Sequence, residues 1–423
     1  MSFASKKNFV RYGAASIAAC LLLATTSAQA QAPADETDAN APAPDSIVVT
    51  GQNETNGLNL TARGTPQSVT SLDSLRMQEQ GLTDISEVMQ QIVGIQTNRS
   101  SALGTDGTNY TARGFAVQNY LVDGVARPSN IYGFTEDTAD MIAYDRIEVI
   151  RGSAGMMTGT GEPSAAINMI RKRPGTDLSA TVAATIGSWD KYRLEGDIGG
   201  ALTASGHIRA RVAGAWQDND TFIDREHAKR QALYGVIEAD LGPSTLLTAG
   251  IEYQNFRNEG ASRGGVPLFF TDGTKTDFAR STNGGANWSD FSRKSVNIFA
   301  SIAHDFDANW HLQVDAEHKS GSYDETIGYF FGTAIDKETG DGGTFYATRW
   351  ASDLTLDAVY ANLRGAFQAL GQEQHVALTV SHTRFDDDQT PYPGWWGGSD
   401  YMYPINAYSY FPTGDVAKPD LTP

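Results

Sequence analysis

From Leu178 onward the chain repeats one pattern, in which apolar and polar side chains alternate along extended segments. In "LLTAGIEYQ", Leu247, Ala249, Ile251 and Tyr253 fall on one face of a strand, while Thr248, Gly250, Glu252 and Gln254 fall on the other. In "WHLQVDAE", Trp310, Leu312, Val314 and Ala316 oppose His311, Gln313, Asp315 and Glu317. Nine such strands are expected, over 178–187, 190–200, 206–217, 229–240, 245–256, 291–304, 310–324, 354–367 and 373–386. Faces this polar do not suit the core of a β-sandwich. They suit a water-filled lumen whose opposite face meets lipid.

The connections point the same way. "GALTASG", "LGPS", "DFDAN" and "QALGQE" are short, whereas "DNDTFIDREHAK", residues 257–290, "FFGTAIDKETGDGGTFYATRWAS" and the tail from Gln389 are long. Short and long alternate after the first hairpin, which is the asymmetry between periplasmic turns and extracellular loops in an outer-membrane barrel. An odd number of strands leaves an unpaired edge in lipid, where each unsatisfied backbone group costs several kcal/mol, so further strands are expected beyond residue 423.

The N-terminus carries Lys6, Lys7 and Arg11, an apolar stretch from Ala14 to Ala24, and the small residues Ala28 and Ala30 before the expected cleavage point. This reads as a secretory signal over 1–30. Its removal takes away three positive charges and the only cysteine, Cys20, moving the formal charge from -18 to -21. A mature chain without cysteine makes no internal disulfide, and one this acidic does not suit nucleic acid. Residues 31–64 form an Ala-, Pro- and acid-rich leader with little to bury. Within it, "DSIVVTG" (45–51) is a short β-prone segment suited to adding a strand to a partner's sheet edge.

Residues 65–174 read as a compact mixed α+β domain. Ser71 or Asp73 caps a helix that stops at Gly81, and Leu82, Ile85, Val88, Met89 and Ile92 share one face of a second helix before Gly94. Short strands follow in "GIQTNR", "NYTARGFA", "NYLVDGV", "RIEVIRG" and "AAINMIR". The Gly-rich stretch "EVIRGSAGMMTGTGEPSAAINMI" between the last two is no phosphate cradle. Gly152, Gly155, Gly159 and Gly161 match neither phosphate-loop spacing, and a strand rather than a helix follows.

These segments resemble those of TonB-dependent outer-membrane receptors, in particular the ferric-siderophore branch. "DSIVVTG" resembles the TonB box (Asp45, Ser46, Ile47, Val48, Val49, Thr50). "GTPQSVTSLDSLRMQEQGLTDISEVMQQIVGIQT", "YTARGFAVQNYLVDGV" and "YDRIEVIRGSAGMMTGTGEPSAAINMIRKRP" resemble successive plug segments in family order. The resemblance implies a mixed α+β plug inside an antiparallel transmembrane β-barrel. It also implies transport without catalysis, driven by TonB and its inner-membrane complex, in the outer membrane of a Gram-negative bacterium, by a chain that is monomeric at full length. No cofactor is implied, since iron enters only within the transported ferric siderophore. Cobalamin and oligosaccharide are alternative cargoes, and an exported soluble β-protein is the reading from another class.

A bulky polar iron chelate calls for aromatic faces with a few Arg or Tyr donors. Arg99, Arg127, Tyr132 and Phe134 on expected outward plug loops, with Trp288, Trp350, Trp395 and Trp396 on long barrel loops, are the candidate ligand contacts. Arg113, Gly114, Asp123, Gly124, Glu148, Arg151, Gly152 and Gly159 are assigned to plug architecture, the acids pairing with nearby arginines. Arg151 and Arg171 flank the Gly-rich loop and are expected to meet acids on the barrel wall. His304, His311 and His318 recur every seven residues on two strands and are not expected to form a metal site; nor does any Ser/His/Asp set support catalysis.

Overall fold

The structure, a computed structural model, describes residues 68–99, 101–104, 108–127, 138–152, 164–332, 334–369, 371–389 and 401–422. The signal, the leader with Asp45 to Thr50, and Tyr132, Phe134, Gly159, Trp395 and Trp396 lie outside these residues.

Local capping sets the start of the plug. Strand β1 (Ser68–Asp73) ends at Asp73, whose carboxylate accepts from the Arg76 N–H at 2.8 Å and so begins helix α1 (Ser74–Glu79). The sequence reading had no strand before this helix. "SVTSLD" becomes one because it pairs along the open edge of a later strand, which local pattern does not reveal. Helix α2 (Ile85–Gln91) opens with a capping box, Asp84 accepting from Glu87 N and Glu87 accepting from Asp84 N. Its inner face buries Ile85, Val88 and Met89 in one cluster with Ile147, Val149, Ile167 and Met169.

The plug strands form two sheets. β2 (Gln96–Arg99), β3 (Thr108–Ala112) and β4 (Phe115–Ala116) make a small antiparallel sheet. β5 (Asn119–Val122), β6 (Val125–Arg127), β7 (Tyr144–Arg151) and β8 (Ala165–Arg171) join β1 in the order β1-β7-β8-β5-β6, in which β5 and β8 run parallel. Two hairpins turn on residue pairs with φ positive at both centres: Arg113 (55°) with Gly114 (84°), and Asp123 (50°) with Gly124 (81°). Mirror-image turns of this kind match the strand twist and favour Gly at the second position.

Beyond the plug, nine strands form an antiparallel meander. They are β9 (Ser179–Gly187), β10 (Lys191–Ala201), β11 (Ile208–Asp220), β12 (His227–Gly242), β13 (Thr245–Glu259), β15 (Asp290–Asp305), β16 (Trp310–Phe330), β18 (Gly343–Ala369) and β19 (Gln372–Gln389), each paired with the next. The connections hold two short parallel strands, β14 (Phe269–Phe270) and β17 (Ala334–Ile335), then β20 (Met402–Ile405) on β18, and helix α3 (Ala407–Thr413). Among the described residues, β9 and β19 pair on one side only.

All nine expected strands are present; several run a few residues past the expected ends, and two are longer by six residues or more. β16 and β18, at 21 and 27 residues, far exceed the ~10 that cross a bilayer. Their outer ends pair as Glu325↔Trp350 through Phe330↔Phe345, between the expected strand end at 324 and the expected start at 354. The amphipathy is inverted relative to a soluble sheet. Ile198, Val212, Ile237, Ile251, Ile298 and Val380 are exposed, whereas Arg193, Asp197, Glu252, Asn258, Arg293 and Lys319 are buried toward the plug. That is the arrangement of a lipid-facing barrel wall around a polar interior.

Candidate functional site

At the end of the sheet bearing the long connections, a cavity of about 420 Å³ opens between plug and wall. The plug contributes Asp84, Glu87, Arg99, Ser101, Ala102 and Leu103. The wall contributes side chains of β10 to β13 and of the 221–226 and 260–289 connections. The plug segment is anchored from outside: Ala102 N donates to Ser262 O at 3.1 Å, Asn258 to Leu103 O at 3.3 Å, and Arg293 Nε to Gly104 O at 2.6 Å.

The charges lining this cavity separate into used and unused ones. Asp84 pairs with Arg230 at 3.3 Å while capping α2, Glu87 closes the capping box, and Glu226 accepts from Asn258 (2.8 Å) and Thr221 (3.0 Å). Arg99 and Lys191, by contrast, have no ion-pair partner among the described residues. The uncommitted charge is therefore cationic, which attracts an anionic ligand and focuses its approach. Phe222 lines the same cavity with Arg280 over its ring at 4.8 Å and Trp189 edge-on at 6.4 Å. Residue-by-residue reading missed Lys191, Phe222 and Arg280. The available signal was an aromatic and a cation in two connections that adjoin through the sheet.

Deeper in, the last plug strand is locked to the wall by buried charges. Arg171 meets Asp123 at 2.9 Å within the plug and Glu252 of β13 at 3.3 Å, with its guanidinium 4.1 Å from the Phe299 ring centre. Arg127 pairs with Glu317 of β16, Lys172 with Asp197 of β10 at 2.8 Å, and Arg193 holds Asp140 through two bonds of 2.8 and 2.9 Å. Tyr144 donates to Glu252 at 2.8 Å, and Tyr234 of β12 donates to Lys172 O at 2.7 Å. Burial pushes the Asp123 carboxyl up, but Arg171 and Arg173 outweigh it and hold the group below its ordinary value. Asp140 is likewise raised by burial and lowered further by Arg193 and Arg230.

Residues 61–166 match the family model described as the TonB-dependent Receptor Plug Domain. The chain is 35% identical over 364 residues to the ferripyoverdine receptor of Pseudomonas aeruginosa, an alignment covering 85% of this chain and 44% of that one. It is 33% identical over 348 residues to the ferric-pyoverdine BN7/BN8 receptor of Pseudomonas putida, covering 82% and 42%. The crystal structure of the Pseudomonas aeruginosa outer-membrane ferripyoverdine receptor bound to ferripyoverdine superposes with a TM-score of 0.79 at 33% identity, over 87% of this chain and 48% of that one. The chain belongs to the TonB-dependent receptor family. It spans less than half the length of these curated relatives.

The receptor's expected ligand contacts do not come together as one set. Arg99 is exposed and lines the outer cavity. Arg127 was expected on an outward loop, but it lies at the end of β6 and is buried against Glu317. Trp350 was also expected on a loop; it lies within β18, 8% exposed, with Arg263 over its ring at 4.2 Å. Trp288 sits in a connection but beneath it, edge-on to Phe345 at 6.0 Å and donating its indole N–H to Val416 O at 2.9 Å. Tyr132, Phe134, Trp395 and Trp396 lie outside the described residues.

The residues assigned to plug architecture fare differently. Arg113, Gly114, Asp123 and Gly124 occupy the two hairpin turns, and Glu148 bonds to Arg146 at 2.9 Å. Asp123 pairs with Arg171 and Arg173 rather than with the arginines nearest in sequence. Of the two arginines expected to reach the wall, Arg171 does. Arg151 instead donates to Val93 O and, at 2.6 Å, to Ser68 Oγ inside the plug, next to Gly152 at φ 122°. His304, His311 and His318 each have a separate partner, Thr245, Asp305 and Asp357.

Proposed function

We propose that this receptor imports a ferric siderophore across the outer membrane of a Gram-negative bacterium, energised by TonB acting on the segment Asp45 to Thr50. The observation that carries the reading is the 35% identity, running through both plug and barrel wall, to a receptor named for ferripyoverdine. The cavity supports it: an outward opening whose uncommitted charges among the described residues are Arg99 and Lys191, with the Phe222 ring on its wall, suits a bulky anionic chelate with a planar part. Arg99 is assigned as a ligand contact on the same ground. Tyr132, Phe134, Trp395 and Trp396 remain proposed contacts by their sequence context alone. The function is transport, with no chemical step and no resident cofactor.

The test is growth of a strain deleted for the full-length gene on single iron sources, with plasmid complementation. Loss of growth on one siderophore class, restored by the gene, is expected. Unchanged growth on every siderophore, with loss on cobalamin or an oligosaccharide, would overturn the cargo assignment.

A further inference from the structure

A second, smaller cavity lies inward of the first, and the two share a wall residue. It measures about 80 Å³ against about 420 Å³ for the outer one, and Lys191 lines both. Its plug side is made by Met77 and Gln78 of α1 and by the α1–α2 turn; its wall side is Thr185 of β9 with Arg193 and Glu195 of β10. Along β10, Lys191 to Glu195 spans about 13 Å at the ordinary strand rise, so the cavities follow one another along the barrel axis rather than side by side.

Elsewhere along the described wall the gap is smaller: between Val122–Val125 of the plug and strands β15, β16 and β18 the cavity beside Arg171 and Glu317 measures about 20 Å³. Toward β12 to β16 the plug is tied by Asp84–Arg230, Arg171–Glu252, Arg127–Glu317 and the Arg293 bond to Gly104 O. Beside the β9–β10 hairpin there is empty volume instead, ending at the Arg193–Asp140 and Lys172–Asp197 pairs. Lys191, with no ion-pair partner among the described residues, stands where one cavity meets the other.

We infer that the cargo leaves the outer cavity along this seam, passing Lys191 between the α1–α2 face of the plug and the β9–β10 hairpin. This rests on the transport reading above and adds the route. The seam is too narrow for a chelate as it stands, so α1 and the α1–α2 turn move away from the hairpin, and the Arg193–Asp140 pair parts. Lys191 acts as the relay cation, holding the anionic cargo after Arg99 releases it. Its position is a matter of residue placement on a short hairpin, and no pattern in the local sequence marks it.

The test closes the seam with a covalent bridge in the full-length receptor. Because Cys20 is the sole cysteine in this sequence and lies in the predicted signal, the substitutions Gln78→Cys and Thr185→Cys introduce one pair on opposite walls of the inner cavity. Cells carrying the pair are treated with a bifunctional maleimide, and binding and uptake of radiolabelled ferripyoverdine are measured separately, with each single-cysteine receptor as control. Binding retained and uptake reduced to background is the expected result; uptake unchanged with the bridge demonstrably formed overturns the route. Lys191→Glu gives an independent arm, in which maximal uptake falls more than half-saturation shifts; an equal or opposite change counts against the relay role. If unmodified cells take up no ferripyoverdine, that chelate is not the cargo, and the same bridge is read with the siderophore that the growth test identifies; the cargo assignment itself fails only if no siderophore is imported.

Discussion

Arg127 of the plug and Glu317 of barrel strand β16 form a buried ion pair across 190 residues of sequence, with side chains 3% and 6% exposed. Removing Arg127 leaves the buried Glu317 carboxylate with Arg171 at 3.9 Å and Asn297 at 3.4 Å, a weaker set of partners, so the cost is at most that of a fully broken buried pair, about 3–5 kcal/mol, whereas replacing both members with apolar groups of similar volume is often near neutral. Arg127→Met is therefore expected to loosen β5 and β6 against the wall, and Arg127→Met with Glu317→Met to recover most of the loss. Hydrogen exchange of 119–127 in the folded receptor reads this directly. Protection in the single variant equal to that of the parent would refute the assignment, and lost siderophore affinity with unchanged protection would return Arg127 to the ligand set.

Acid should release the plug from the same direction. Asp123 and Asp140 are held below the ordinary carboxylate value of 3.8 in the folded protein. A group with a depressed folded-state pKa adds stability that is complete above its unfolded value and is lost as pH falls through the folded one. Plug protection is therefore expected to be flat from neutral pH down to about 4 and to fall below that. Hydrogen exchange at stepped pH, corrected for intrinsic rates, checks it; a loss confined to pH 6–7 would point to other groups.

Which parts of this fold were legible follows from the range of the interactions. The barrel strands declare themselves by period-two alternation, a property of neighbouring residues, so all nine were readable from pattern. The outer ends of β16 and β18 were not, because Gly, Asp and Thr crowd "FFGTAIDKETGDGGTFYATRWAS" and Phe330, Phe345 and Ala347 are buried in a cluster of connection residues, which removes the alternation. Arg127 was misread for a related reason. A cation on a short plug strand looks outward until β16 supplies its carboxylate. Arg99, expected on an outward loop, is instead the last residue of β2, exposed at the rim of the outer cavity, because the pairing of β2 with β3 extends to it.

Asp84 serves two structures, and two substitutions separate them. Its Oδ1 accepts from Glu87 N at 2.9 Å to cap α2, and its Oδ2 meets Arg230 of β12 at 3.3 Å. Asp84→Asn keeps a good cap but removes the charge facing Arg230, while Asp84→Ala loses both. The alanine variant is expected to lose about 1 kcal/mol more than the asparagine variant, the ordinary worth of an N-cap. Exchange protection of 85–91 measures the difference, and identical behaviour of the two would show that the cap contributes nothing here.

Gly250 is where the wall makes room for the plug's lock. A Cβ at this position would stand 2.4 Å from Phe299 Cζ and 2.8 Å from the Gly235 carbonyl, and Phe299 is the ring under Arg171. Gly250→Val is expected to displace that ring and loosen the Arg171 seat, costing about 1–3 kcal/mol by overpacking. Adding Phe299→Leu should restore part of it by making space. Thermal unfolding of the detergent-solubilised receptor reads both; a parent-like Tm for the valine variant would mean that the wall yields at this point.

Arg99 separates ligand recognition from plug stability. It is exposed, lines the outer cavity and has no ion-pair partner among the described residues, so its removal should leave folding unchanged. Against an anionic chelate, a lost charge-assisted hydrogen bond is worth about 1.5–3 kcal/mol, or roughly one to two decades in Kd. Arg99→Ala is expected to weaken binding by that amount, and Arg99→Glu by more, since it places a like charge in the ligand's path. Raising ionic strength should slow association in the parent and do so less in the alanine variant, because part of the steering field is gone. Equal affinity of the parent and Arg99→Glu, measured at low salt with the barrel intact, would place the anionic part of the ligand elsewhere on the rim.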